Sequence, residues 1–372
     1  MPRPMRPWRW NVNSEMPWSE AKRLHNVRLS TLRQILAEAP SDSINLALGE
    51  LAFPFPRQLA DQVIRLMADA QPTYTPNAGN PDLRAKLALL YNAHAENICI
   101  CNGAEEALYI SLQACVNPGD LVAITDPDYP AYPTLAHLAG AEVSSLPFGA
   151  DFTSIDWDLW EKHLKQAKVL LMSHPSNPTG FCFDESGFAR LCNLLNKYDI
   201  TLIVDTIYRD VYSEKPYDPD YQSVKRCIVI GGLSKSHLMS GWRIGWIYAD
   251  VQVIQAATKL KQYISTCSAW ISQELALYAL DQAEIPLMVQ TQLQANQDLV
   301  REFLGKKELH IPSCTPYIMI KAKEPDRQVR EYLARGVITL NGSAFGSVSR
   351  DWIRINYAVD SALLRKALKR MQ

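Results

Sequence analysis

The chain has 372 residues, 47% of them apolar and 21% charged, with a formal net charge of −1; this is enough for a large core divided between two packed lobes. So little net charge argues against nucleic acid as the main partner, because phosphate neutralisation needs clustered cationic side chains. No apolar run approaches the roughly 18 residues that span a bilayer, so no membrane partner is expected.

The first 33 residues carry seven Lys/Arg against two acids, and "MPRPMRPWRWNVNSEMPW" lacks the apolar segment of a secretory signal. It reads as an irregular arm, either docked across a partner subunit or disordered. The helical stretch 24–38 is expected to pack on the C-terminal lobe. Eight cysteines (99, 101, 115, 182, 192, 227, 267 and 314) show no CxxC pair and no Cys/His ligand spacing. Cys99 and Cys101, in "ICIC", read as small core thiols, and with no secretory signal the set points to a reducing cytoplasm, with no metal site.

The middle of the chain alternates strand and helix. Strand candidates are 98–101, 121–125, 142–146, 169–173, 201–205, 227–232 and 244–249, several of them almost wholly apolar, as strands covered on both faces are. Helical segments lie between them, such as "AEEALYISLQACV" before the Asn-Pro-Gly turn at 117–119, and "ESGFARLCNLLNKY" before Asp199. The alternation predicts an α/β fold whose large domain holds a mostly parallel seven-stranded sheet wrapped by helices. From about 252 one long helical stretch leads into "PYIMIKAK", "VITLNGSAFG" and "WIRINYA", a smaller α+β lobe. The expected organisation is an arm and first helix at 1–43, a large domain at 44–255, and a linking helix with small domain at 256–372.

Ligands of such sheets bind beyond the carboxyl ends of the strands, and the notable polar residues gather there. Gly103 and Ala104 open a helix whose free N–H groups suit an anion, unless the glycine serves only the turn. Tyr129, in "DPDYPAYP", is an aromatic plate for a planar ligand or a packed loop residue. Asn177, in "HPSNPTG", is displayed by a rigid turn or bonds its own backbone. His174 reads as a loop or core histidine. Asp205 ends a buried apolar run and needs a cation or hydrogen-bond donors, a structural ion pair being the plain alternative. Lys235 becomes a free nucleophilic amine if desolvated, and an ordinary surface lysine if not. Ser234 and Arg243 are donors for an anion. Arg354 sits among apolar neighbours without an evident acid, which a ligand carboxylate would explain. An anion cup, an aromatic plate, an acid, an amide, two phenols and an amine at one edge match the needs of pyridoxal phosphate (PLP).

With these motifs in order, the chain resembles the class I/II aminotransferases of PLP fold type I, aspartate aminotransferase-like enzymes. "YTPNAGNPDLR", "GAEEAL", "DPDYPAYP", "HPSNPTG", "DTIYRDVY", "SKSHLMSGWRIGW" and "GSAFG…WIRINYA" carry the likeness from about residue 44 onward. The resemblance implies an enzyme that moves an amino group between an α-amino acid and a 2-oxo acid by a ping-pong route. It makes Lys235 the Schiff-base lysine and general base, Asp205 the partner of the ring nitrogen, and Asn177 and Tyr208 the partners of the ring oxygen. Tyr129 would stack on the ring. Gly103, Ala104, Glu105, Ser234 and Arg243 would hold the phosphate, with Tyr74 reaching the site of the other subunit in a homodimer. Arg354, aided by Asn177 and the backbone at Gly49, would bind the substrate carboxylate. Another PLP reaction (a lyase, cyclising or decarboxylating enzyme) shares all these residues, and a non-catalytic effector-binding module is a third reading. Two departures stand out: Leu51 and Ala52 replace the usual Pro-Asp, and Gly232 replaces a hydroxyl residue of the cup.

Overall fold

The computed structural model describes residues 20–25, 27, 31–68, 70 and 72–372; the arm 1–19, with its expected docking across a partner, lies outside the described residues. The seven expected strands form one sheet. They are β1 (Ile98–Cys101), β2 (Leu121–Asp126), β3 (Glu142–Pro147), β4 (Val169–Ser173), β5 (Thr201–Asp205), β6 (Cys227–Gly232) and β7 (Gly245–Ala249). Their order is β1-β7-β6-β5-β4-β2-β3, and only β7 runs against its neighbours.

β4 and β5 are buried along their whole length, so no period-2 alternation marks them. Each such Leu, Ile or Val side chain contributes about 1.5–3 kcal/mol by leaving water. Helices α2 (Ala104–Cys115) and α3 (Ala131–Leu138) cover one face of the sheet. α4 (Glu185–Lys197) covers the other, its Leu191 and Leu195 packed with Trp160 and Leu202.

The long helical stretch after 252 is two helices, α5 (Val251–Ile264) and α6 (Trp270–Ala279). The break falls at Ser265-Thr266-Cys267, where Thr266 adopts φ +62°; three residues of modest helix propensity in a row let the chain turn there. α7 (Glu284–Leu304) follows. The C-terminal lobe carries a four-stranded sheet of β8 (Leu309–His310), β9 (Tyr317–Lys321), β10 (Leu340–Asn341) and β11 (Trp352–Asn356), ordered β10-β11-β9-β8. Helix α1 (Thr31–Glu38) lays Leu32, Ile35 and Leu36 against Ile338, Leu340 and Phe345 of this lobe.

Side-chain hydrogen bonds tie together the segments around the cleft. Asp126, at the end of β2, accepts from Ser347 N (3.1 Å), Ser347 Oγ (2.7 Å) and Val348 N (3.3 Å). Asn356 donates from Nδ2 to Leu48 O (2.7 Å) and Glu50 O (2.6 Å).

Candidate active site

The carboxyl ends of β2, β4, β5 and β6 and the start of α2 open into one cleft of about 730 Å³, closed from the other lobe by Thr31, Leu32, Leu340, Ala344, Phe345 and Arg354. Gly49, Ala104, Glu105, Tyr129, Asn177, Asp205, Tyr208, Ser234, Lys235 and Arg243 also line it. Tyr74 stands apart from it and is 86% exposed.

Asp205 is level with Ser173 of β4 in the sheet register. Its Oδ2 accepts from Tyr132 Oη (3.0 Å) and its Oδ1 from Ile207 N (3.0 Å). Burial dominates all the same and pushes its pKa up to about 6, so a cation arriving beside it would be strongly attracted. Among the described residues Asp205 makes no structural ion pair of the kind considered from sequence: its partners are a phenol and a backbone N–H. Lys235 donates from Nζ to Gly49 O at 2.6 Å. Desolvation in the cleft lowers its pKa to about 8, against the opposing pull of Glu50 and Asp205. The amine is therefore still mostly protonated near physiological pH, but its neutral, nucleophilic fraction is far larger than that of an ordinary lysine.

The anion cup forms where α2 begins. Gly103 has φ +84°, and a Cβ there would lie 2.5 Å from Arg243 Nη2. Only glycine lets that guanidinium close over the helix N-terminus, where the backbone N–H groups of Ala104 and Glu105 are free. Arg243 is itself held by a bond from Nη1 to Ser240 O (3.0 Å). Gly232 is packed tightly: a Cβ would meet Ile207 Cδ1 at 2.9 Å and Ile244 O at 3.1 Å. Ile207 thus fills the space in which a hydroxyl side chain would stand.

Arg354 reaches from β11 across the lobe boundary and is 3% exposed. Its Nη1 donates to Asn177 Oδ1 (3.1 Å) and its Nη2 to Ala47 O. Tyr317 and Phe345 stack on the guanidinium at 4.2 and 4.6 Å. Its Nε is buried with no partner among the described residues, a donor placed to meet an acceptor on a ligand. Tyr208 and Tyr317 share a hydrogen bond of 2.5 Å between their hydroxyls. Gly49 passes so close that a Cβ would lie 2.5 Å from Tyr317 Oη.

Several site residues were not singled out from sequence. Tyr132 and Tyr317 are joined to Asp205 and Tyr208 only by tertiary contact, although Tyr132 lies in the same "DPDYPAYP" motif as Tyr129 and meets its ring edge-on at 5.4 Å. Asp128 had a visible signal, an acid inside "DPDYP" at a strand end. Fully buried, it accepts from Thr125 Oγ1, Ser173 Oγ, Ser173 N (3.0 Å) and Tyr129 N (2.7 Å). Ser173 Oγ in turn accepts from Asn177 N (2.9 Å). One carboxyl thereby sets the position of both Tyr129 and Asn177. Leu51 packs in the core and Ala52 bridges Val359, so neither departure from the usual Pro-Asp lines the cleft. His174 is a core histidine, bonded to Tyr221 Oη (2.9 Å) and Phe183 N (3.0 Å), with its pKa lowered by burial to about 4.

Burial raises the Asp128 pKa to about 7. In the window between the unfolded value near 4 and this folded value, the native state retains a proton that the unfolded chain releases. Stability from this group is therefore lost as pH rises. Replacing Asp128 by Asn removes the titration. The unfolding free energy of the native protein relative to Asp128→Asn should fall by up to about 4 kcal/mol between pH 4 and pH 8 in denaturant titrations. A difference that grows with pH would mean that the four donors keep Asp128 ionised.

A lysine amine, an acid and an anion cup at one sheet edge define a carbonyl-cofactor enzyme whose cofactor carries a phosphate and a basic ring nitrogen. The profile of the family described as aminotransferase class I and II matches residues 41–371. The probable aspartate aminotransferase of Methanocaldococcus jannaschii is 30% identical, over 94% of this chain and 97% of its own length. The probable N-acetyl-LL-diaminopimelate aminotransferase of Bacillus subtilis is 29% identical over 93% of each chain. The structure of Thermus thermophilus aspartate aminotransferase with maleate superposes with a TM-score of 0.89 at 25% identity, covering 95% of this chain and 98% of that one. The chain belongs to the class I and II aminotransferases, and it is a transferase that uses pyridoxal 5'-phosphate. Among the described residues no helix is long and apolar enough to cross a membrane.

Proposed function

We propose that the cleft transfers an amino group between an α-amino acid and a 2-oxo acid, with its residues in the following roles. The cofactor supplies an aldehyde that holds the amino acid covalently and a ring that takes up electrons from its Cα. Lys235 carries the cofactor and, once displaced by substrate, moves the proton from Cα. Its lowered pKa suits both tasks, since a general base works best when its pKa lies near the working pH. Asp205 holds the ring nitrogen protonated, and Tyr132 and Ile207 N orient its two oxygens. Asn177 and Tyr208 bond the ring oxygen, and Tyr129 covers the ring face. Ser234, Arg243 and the backbone from Gly103 to Glu105 take the phosphate.

Arg354 binds the substrate α-carboxylate, with Asn177 and the Gly49 backbone beside it. The observation that carries this reading is the unpartnered Nε of Arg354, buried in the same cleft as a half-buried lysine amine. Holding the carboxylate fixes which Cα bond stands across the ring, and so favours proton transfer over loss of carboxylate. The active unit is a homodimer in the cytoplasm. The 86% exposure of Tyr74 leaves it free to reach a partner's cleft, and all eight cysteines are free thiols.

The cofactor-loaded protein, mixed anaerobically with an amino acid and no oxo acid, should convert one equivalent of cofactor from its aldehyde to its amine absorbance and stop. Addition of a 2-oxo acid should reverse the change. Repeated turnover with release of ammonia would make it a lyase and overturn the proposal.

A further inference from the structure

The turn that opens the anion cup is held on two sides. Gly245, at the start of β7, passes so close that a Cβ there would lie 2.7 Å from Gly103 C and 2.8 Å from Ala104 N, so the turn cannot sink toward the sheet. Its other hold is Glu106, in the first turn of α2. Glu106 accepts at Oε2 from Asn102 N (2.6 Å) and at Oε1 from Asn102 Nδ2 (3.0 Å). The carboxylate reaches back around the turn, as an acid at the third helical position does in a capping box.

The same Oε2 accepts from Lys261 Nζ at 2.8 Å, and Lys261 Nζ also donates to Ser265 Oγ at 3.0 Å. Lys261 lies on α5, its side chain wholly buried beside a Glu106 that is 12% exposed. Taking a lysine out of water is costly, and an apolar side chain of similar size would fill the space without that penalty. The reason for the charge is local. Burial alone would push the Glu106 carboxyl up, but bonds from Lys261, Asn102 N and Ser265 outweigh it and hold the pKa below its usual value. An ionised carboxylate therefore stands within the first turn of the helix whose free N–H groups face the cup. Left alone it would repel an arriving phosphate; paired with a lysine it can order the turn without cancelling the positive end of the helix.

We propose that Lys261 is a positioning residue for the cofactor's phosphate: by neutralising Glu106 and fixing it against Asn102, it keeps the N–H groups of Ala104 and Glu105 turned to the anion. The inference rests on the phosphate site proposed above. Every bond from Asn102 through Glu106 and Lys261 to Ser265 is made within one chain, so the effect does not depend on what a partner subunit adds to the cleft.

Cofactor-free protein titrated with PLP and with pyridoxal, which has the same aldehyde and ring but no phosphate, separates this role from a purely structural one. Lys261→Met should raise the Kd of PLP about tenfold or more and that of pyridoxal by less than about twofold. Adding Glu106→Gln to Lys261→Met should recover about threefold or more of the PLP affinity, because the uncompensated carboxylate is then gone. An equal loss for both ligands, or no loss for PLP, would show a lysine that serves only the fold and overturn the inference. If Lys261→Met does not fold, Lys261→Gln, which keeps a donor for Glu106 and drops the charge, decides by the same ratio. The selective loss should persist in a Tyr74→Phe background; a loss that vanished there would belong to the partner subunit's Tyr74 and not to this cup. A native protein that binds PLP no better than pyridoxal would defeat the phosphate site itself, an outcome distinct from a native preference that Lys261→Met leaves unchanged.

Discussion

Lys235→Ala should lower turnover by at least about 10⁴-fold, because it removes both the covalent attachment and the base that moves the Cα proton. The fold should survive. The lost contact is a single bond to Gly49 O, worth about 1 kcal/mol, and Lys235 lies in a loop after β6 rather than in the core. The variant should still bind the cofactor through Arg243 and the start of α2, but release it on dialysis. Borohydride should fix cofactor to the native protein and not to the variant. Added primary amines should restore part of the proton transfer, which a merely structural lysine would not allow. Retention of near-native turnover would remove Lys235 from the role.

Arg354→Lys is the second substitution with a large expected effect: a fall in kcat/KM for amino acids of about 10²–10³-fold, with cofactor absorbance and retention unchanged. Truncating one partner of a buried hydrogen-bonded charge pair costs about 2–5 kcal/mol. The lysine loses more than charge geometry. Arg354 spans Asn177 Oδ1 and Ala47 O while stacking between Tyr317 and Phe345. A single ammonium cannot reproduce the planar fork or the stacking. Initial rates over a range of amino acid concentrations, together with cofactor titration of both proteins, separate the two sites. An unchanged KM would show that the carboxylate binds elsewhere.

Lys235 was within reach of sequence reasoning because it stands just past a strand end, and Arg354 because it is a lone charge inside an apolar strand. An apolar run that stops at Asp205, or passes through "GGLSKS" into Lys235, shows its polar terminus as an outlier. In a parallel sheet all such termini meet at one edge. Tyr317 gave no such sign. It opens "YIMIK" as one more large residue in a buried strand, and its bond to Tyr208, 109 positions away, exists only once the two lobes close. The break between α5 and α6 was hidden for a different reason: the apolar periodicity continues on either side of it, while the turn itself is a local backbone event at Thr266.

Hydrophobic periodicity thus determined the α/β architecture and the order of the elements, which depend on local pattern, while strand-end residues and the family resemblance pointed to the cofactor and to the candidate residues around it. Tertiary structure alone decided which donors hold Asp205, that Leu51 faces the core, and that Arg354 keeps one donor without a partner among the described residues. Those outcomes are set by the distances between segments far apart in the chain, and hydrogen bonding and charge compensation depend on such distances rather than on residue type.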